Sequence, residues 1–140
     1  MRRVTRAVIL ALGVALGAAA CDPEVTPTDT STSPSPTITE SFTGSITLNG
    51  AVSHFFVTNA AGIVTATLRT LTPDSTIQLG LALGTWNGIN CATTISNERA
   101  SQGNVVTGNV AGSGNLCVRI FDANATIVTP SQYEIVVVHP

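Results

Sequence analysis

The sequence predicts an all-β fold, an antiparallel, jelly-roll-like β-sandwich of about eight short strands, and three observations carry that prediction. Residues 76–86 (TIQLGLALGTW) alternate Ile77, Leu79, Leu81 and Leu83 with Gln78, Gly80, Ala82 and Gly84. That is the two-residue period of a strand with one large apolar face and one nearly bare face. Similar runs recur about every 8–15 residues, separated by Asn, Gly, Asp and Pro, and no window carries a helical stripe. Several runs are apolar on one face and Thr-rich on the other, as two packed sheets require.

Composition narrows the class further. The chain has 140 residues, enough for one domain, with six arginines, no lysine and eight acids. Removing the first 20 residues leaves Arg69, Arg99 and Arg119 against all eight acids, a net charge of about −5. Such a balance argues against nucleic acid and against electrostatic binding to a membrane surface.

Residues 1–20 read as a secretory signal peptide. Arg2, Arg3 and Arg6 form the positive region, VILALGVAL forms a short apolar core, and Gly17, Ala18, Ala19 and Ala20 supply the small residues a signal peptidase needs. The apolar run is too short for a comfortable transmembrane span. Cys21 follows at once. Through Ala18-Ala19-Ala20-Cys21 the chain resembles a bacterial lipoprotein precursor, which implies that Cys21 is lipidated and becomes the new N-terminus. Ordinary signal cleavage and secretion is the alternative. Acyl chains contribute about 0.8 kcal/mol per buried methylene, so several chains make a lasting membrane anchor.

Residues 21–38 hold that cysteine and a Pro/Thr/Ser-rich linker with Pro23, Pro27, Pro34 and Pro36. Proline fixes φ and removes amide donors, so neither helix nor sheet ladder is expected there. In polyproline geometry, at about 3.1 Å per residue, the linker spans some 40–50 Å.

Residues 39–140 form the sandwich domain. A first strand is expected over residues 40–48, with Phe42, Ile46 and Leu48, and a second over residues 52–58 (VSHFFVT). Asn49-Gly50 between them is the strongest short hairpin signal. Residues 63–71 alternate Val64, Ala66 and Leu68 with Thr65, Thr67 and Arg69. Residues 72–75 (TPDS) turn the chain into the central run of residues 76–86. A short strand over residues 91–95 and a polar loop over residues 96–104 follow. Strands are then expected over residues 105–110 and 116–121, the latter with Leu116, Val118 and Ile120 opposite Cys117, Arg119 and Phe121. Residues 123–130 read as a loop around Ile127, and residues 132–139 close the domain with Tyr133, Ile135 and Val137 on one face.

With Cys21 acylated, Cys91 and Cys117 remain as an even pair in an exported chain. A disulfide between them closes a loop of roughly 25 residues, worth about 3 kcal/mol in the chain-entropy model. It would join two strands connected through the 105–110 run. A two-cysteine metal site is the rival reading, but no CxxC or HxxxH accompanies it, and His54 and His139 are far away in sequence.

The strand pattern resembles the bacterial pre-peptidase C-terminal (PPC) domain. The matching residues are Phe55-Phe56-Val57, the GIVTATL run from Gly62 to Leu68, the Leu79 to Leu83 strand, the GNLCVRI run from Gly114 to Ile120, and the closing YEIVV from Tyr133 to Val137. The resemblance implies a jelly-roll-like accessory module of exported proteins, a family some of whose members bind calcium, collagen or carbohydrate. Asp74, Asp122 and Glu134 are scattered here, without the dense acidic cluster of a calcium site. No cofactor is expected.

Catalytic constellations are absent from the sequence. There is no G-x-S-x-G elbow and no segment with paired carboxylates, and His54 and His139 read as structural or surface residues. The best binding candidates are Trp86, Asn87 and Asn90. An exposed indole beside amide side chains can stack on a sugar ring and hydrogen-bond its hydroxyls. The functional reading is thus a non-catalytic envelope lipoprotein, anchored to a membrane, whose sandwich binds a glycan or an envelope protein. The alternative is a purely structural envelope module without a discrete ligand.

Overall fold

The computed structural model describes residues 36–140. Residues 1–20, read above as a signal peptide, Cys21 and all but the end of the expected linker lie outside the described residues. Eight strands follow in chain order: β1 (Ile38–Ile46), β2 (Ala51–Thr58), β3 (Gly62–Thr72), β4 (Leu79–Trp86), β5 (Cys91–Ala100), β6 (Val105–Val110), β7 (Gly114–Phe121) and β8 (Ser131–His139). They form two four-stranded antiparallel sheets, ordered β1-β8-β3-β6 and β2-β7-β4-β5. The all-β sandwich expected from the alternating runs is therefore the fold.

Alternation sorts the side chains between the sheets. In the first sheet Phe42, Ile135 and Leu68 line up across β1, β8 and β3 and face inward. In the second, Val52, Ile120 and Leu81 do the same across β2, β7 and β4. Leu68, Leu79, Leu81, Val118, Ile120 and Ile135 have no solvent exposure. The outer face of the first sheet is a skin of Thr39, Ser41, Thr65, Thr67 and Thr107 with Val136 and Val138, where Ser41 donates a 2.6 Å hydrogen bond to Glu134 and Arg69 stands beside the same carboxylate.

Three expectations are corrected. First, Asn49-Gly50 does not close a hairpin: β1 pairs with β8 and β2 with β7. The turn carries the chain from one sheet to the other. Asn49 takes a positive φ of 56°, and its amide donates to the Asp122 carboxylate at 3.1 Å. Second, residues 96–100 are strand rather than loop. β5 is an edge strand, and between Cys91 and Ala100 none of its side chains is fully buried, so the apolar alternation that marks a strand is missing. Third, the central strand starts at Leu79, not Thr76, and its bare face is as buried as its leucine face. The Phe121 ring lies over Gly80, where an added Cβ would run into it, and the Ala92 carbonyl lies over Gly84. The cysteine-bearing strands are connected through the 105–110 run as expected, with β6 paired to β3 while β5 and β7 flank β4.

One carboxylate organises the loops at one end. Asp122 is 8% exposed and accepts from the amides of Asn49, Thr126 and Ile127 and from the Thr126 hydroxyl. It thereby ties the β1–β2 crossing to the loop of residues 123–130, whose Ile127 is buried while Val128 is fully outside. Burial alone would raise the Asp122 pKa, but the hydrogen bonds from Thr126, Asn49 and Ile127 outweigh it and hold the pKa below its ordinary value of 3.8.

On the side where β1 faces β2, an aromatic seam closes the sandwich. The His54 ring stacks on Phe42 at 5.0 Å and its Nε2 lies 2.8 Å from the Tyr133 hydroxyl. His139 packs against Phe56 and its Nε2 lies 2.9 Å from Glu40. Both histidines are tied into this seam. Burial lowers the pKa of His54 and raises that of Tyr133.

Replacing Asp122 with Ala orphans three backbone amides, and a loss of about 1–3 kcal/mol in urea unfolding at neutral pH is expected. A carboxylate whose folded pKa is depressed stabilises the fold above its unfolded value and loses that contribution as pH falls through the folded one. The gap between wild type and Asp122→Ala therefore narrows below pH 3.8; a gap that does not change with pH would contradict this role.

Candidate functional site

The outer face of the β2-β7-β4-β5 sheet differs from the Thr-rich skin opposite. Registers place Ser53, Arg119 and Ala82 in one row across β2, β7 and β4, and Phe55, Cys117 and Gly84 in the next. β4 contributes almost no side-chain volume here, so neighbouring elements close over it. The first residues of β5 lean across Gly84, which brings Cys91 over the sheet to Cys117.

Cys91 and Cys117 are joined by a disulfide, with Cα atoms 5.7 Å apart and a sequence separation of 26. Cys117 has no solvent exposure and Cys91 only 7%. The bridge spans β4 and fastens the tip of the β4–β5 hairpin to β7.

Trp86 stands at that tip, opposite Cys91 in the β4–β5 ladder. It is half-buried, with its ring 6.1 Å from that of Phe55. Phe55 is 44% exposed and Ile89 81%. Trp86 is therefore neither a core residue nor an isolated surface indole. It forms one side of a continuous apolar shelf with Phe55 and Ile89.

Asn87 and Asn90 have separate jobs in the turn beside it. Asn87 Oδ1 accepts from the amides of Ile89 at 2.9 Å and Asn90 at 2.7 Å, and its own amide donates to the Asn90 carbonyl. The Asn87 oxygen is thus spent on the turn. Asn90 lines a depression of about 230 Å3 together with Ser53, Trp86, Ile89, Cys91 and Arg119. Of the three residues expected to contact a ligand, Trp86 and Asn90 reach this depression directly, and Asn87 shapes the turn that presents them.

Sequence reasoning passed over Phe55, Ile89 and Arg119. The signal for Phe55 was present: in VSHFFVT a strand must send one of two adjacent phenylalanines outward. Arg119 could have been found from its alternation with Cys117, which fixes both on the same face once the disulfide is placed there. Ile89 carried no signal beyond a turn position.

A second concavity of about 490 Å3 opens between the sheets where β6 faces β5, lined by Val64, Leu83, Ile95, Val110, Leu116, the turn of residues 111–113 and the start of β7. It lacks any charged side chain. The acids are dispersed. Asp74 serves its own turn through Thr76, Asp122 the loop collar, and Glu134 the Ser41 and Arg69 side chains.

Neither a family model nor a curated protein matches the chain. Among solved structures it is similar to PliG, a periplasmic lysozyme inhibitor of g-type lysozyme from Aeromonas hydrophila, at 15% identity and a TM-score of 0.48, over 72% of this chain and 84% of that one.

The disulfide holds the shelf in place, so its loss acts on both stability and Trp86. Reducing it, or replacing both cysteines with alanine, is expected to cost about 3 kcal/mol and to raise acrylamide quenching of the sole tryptophan. Unchanged quenching in the still-folded double variant would show that the hairpin tip holds its position without the bridge.

Proposed function

We propose that the chain is an exported, lipid-anchored protein of the bacterial cell envelope whose sandwich is a non-catalytic binding module for a glycan. The observation that carries this reading is the Phe55–Trp86 shelf. Two aromatic rings 6.1 Å apart, with Ile89 beside them, lie next to a depression that Asn90 lines. Aromatic faces cover the apolar C–H surface of a sugar ring, and an adjacent amide meets its hydroxyls. A protein partner would use the same shelf, since exposed aromatics flanked by polar groups also serve protein interfaces.

The anchor rests on the sequence. Cys21 follows three small residues and an export signal, and its lipidation leaves Cys91 and Cys117 as the bonded pair. The linker then holds the sandwich away from the membrane, a geometry suited to a module that reaches for material in the envelope.

Two measurements test the reading. Metabolic labelling with a clickable fatty acid is expected to mark the wild-type chain and not Cys21→Ser, which should leave the membrane fraction. An unlabelled wild-type chain removes the anchor. Titration of the full chain with a panel of envelope glycans is expected to shift Trp86 emission with at least one of them. Phe55→Ala should weaken that binding about tenfold, in line with the ~1–2 kcal/mol of a stacked aromatic contact. A panel that leaves the emission unchanged while a protein partner shifts it would replace the glycan with a protein ligand.

A further inference from the structure

We infer that the depression beside Trp86 recognises the carboxylate of an acidic sugar through Arg119; the inference rests on the glycan reading of the shelf and names the class of glycan. Arg119 sits in the middle of the outer face, with Ser53 and Ala82 as its neighbours across the sheet. The short side chain of Ala82 leaves it room to lie along the surface. Its guanidinium carbon stands 5.7 Å from the centre of the Phe121 ring, an arrangement that holds a cation by the ring's negative face.

What distinguishes Arg119 is partial burial without a partner. Among the described residues Arg69 has Glu134 and His139 has Glu40 as carboxylate neighbours; Arg99 and Arg119 have none, but Arg99 is exposed and Arg119 half-buried. Its Nε is buried and makes no hydrogen bond among those residues. A buried donor without a partner costs free energy; the terminal guanidinium nitrogens, which are not among the buried unpaired atoms, are the donors a ligand can reach. Its planar fork of donors matches a carboxylate in a two-pronged contact.

The surroundings favour a sugar acid over an acidic peptide side chain. A carboxylate side chain of a peptide needs only the guanidinium. Here Ser53, Asn90 and Trp86 line the same depression. Among the described residues neither the Ser53 nor the Asn90 side chain is committed to a hydrogen bond, Asn90 entering the turn through its backbone. A carboxylated pyranose uses all four: a face for the indole, hydroxyls for Ser53 and Asn90, and a carboxylate for Arg119. The volume of about 230 Å3 is below the roughly 300 Å3 at which pockets for larger ligands begin, and suits a single ring.

The test uses oligogalacturonate and its methyl ester, which differ in the charge and one methyl group per sugar acid, as probes of Trp86 emission in the full chain. The acid is expected to bind at least about tenfold more tightly than the ester. Arg119→Gln should abolish that preference, and Arg119→Lys should keep part of it, with far-ultraviolet circular dichroism confirming that both variants retain the β fold. Equal affinity for acid and ester, or a preference that survives Arg119→Gln, overturns the inference while a bound ester leaves the glycan reading of the shelf standing. Binding of poly-glutamate without binding of either oligosaccharide overturns both, and so does emission that neither oligosaccharide moves while a neutral glycan fails as well.

Discussion

Gly80, Ala82 and Gly84 set what the outer face of the β2-β7-β4-β5 sheet can be. A strand whose one face has almost no side-chain volume leaves a trough, and close packing does not leave a trough empty. Phe121 fills one end of it over Gly80, and the start of β5 folds over the other at Gly84. That fold brings Cys91 within bonding distance of Cys117 on the far side of β4. Once the bridge forms, the hairpin tip has one position, and Trp86 comes to rest beside Phe55. The aromatic shelf is therefore a consequence of missing side chains as much as of present ones.

The same trough explains the charge. Arg119 lies on the sheet because Ala82 opposite it is small, and Phe121 is available to hold it because Gly80 has let that ring settle flat. Several charged groups elsewhere are matched: Glu40 with His139, Glu134 with Ser41 and Arg69, Asp122 with backbone amides. The first sheet shows the contrast, with threonine and valine on its outer face and one exposed isoleucine, Ile63.

How much of this was legible in the sequence depends on what each feature is made of. Period-two alternation gave the strands of residues 51–58, 62–72, 105–110 and 131–139 nearly to their ends, because each has one face in the core. It failed for the second half of β5, where an edge strand with both faces in solvent carries no period. It assigned Leu81 and Leu83 to the core and Ala82 and Gly84 to the opposite face, but exposure of the second set does not follow from pattern alone, because what covers a small residue comes from another strand. Asn49-Gly50 marked a turn faithfully and its partners wrongly: local chemistry bends the chain, while the long-range ladders decide whether the two arms pair. The disulfide was legible from counting cysteines, yet its path across β4 was not, since it depends on sheet order. Trp86 was visible as a sole tryptophan at a strand end; Phe55 and Arg119 became visible only with the rows of the sheet in register.

In the proposed function, the outer face of the β2-β7-β4-β5 sheet is the one that meets a ligand in the envelope. Hydroxyl-radical footprinting of the chain on cells, compared with the purified protein, reads that face directly. Protection of Phe55, Trp86 and Ile89 on cells, with Ile63 and Val105 on the other sheet oxidised as in the purified protein, is the predicted result. Equal oxidation of Phe55 and Trp86 in both settings, or protection confined to Ile63 and Val105, would contradict it.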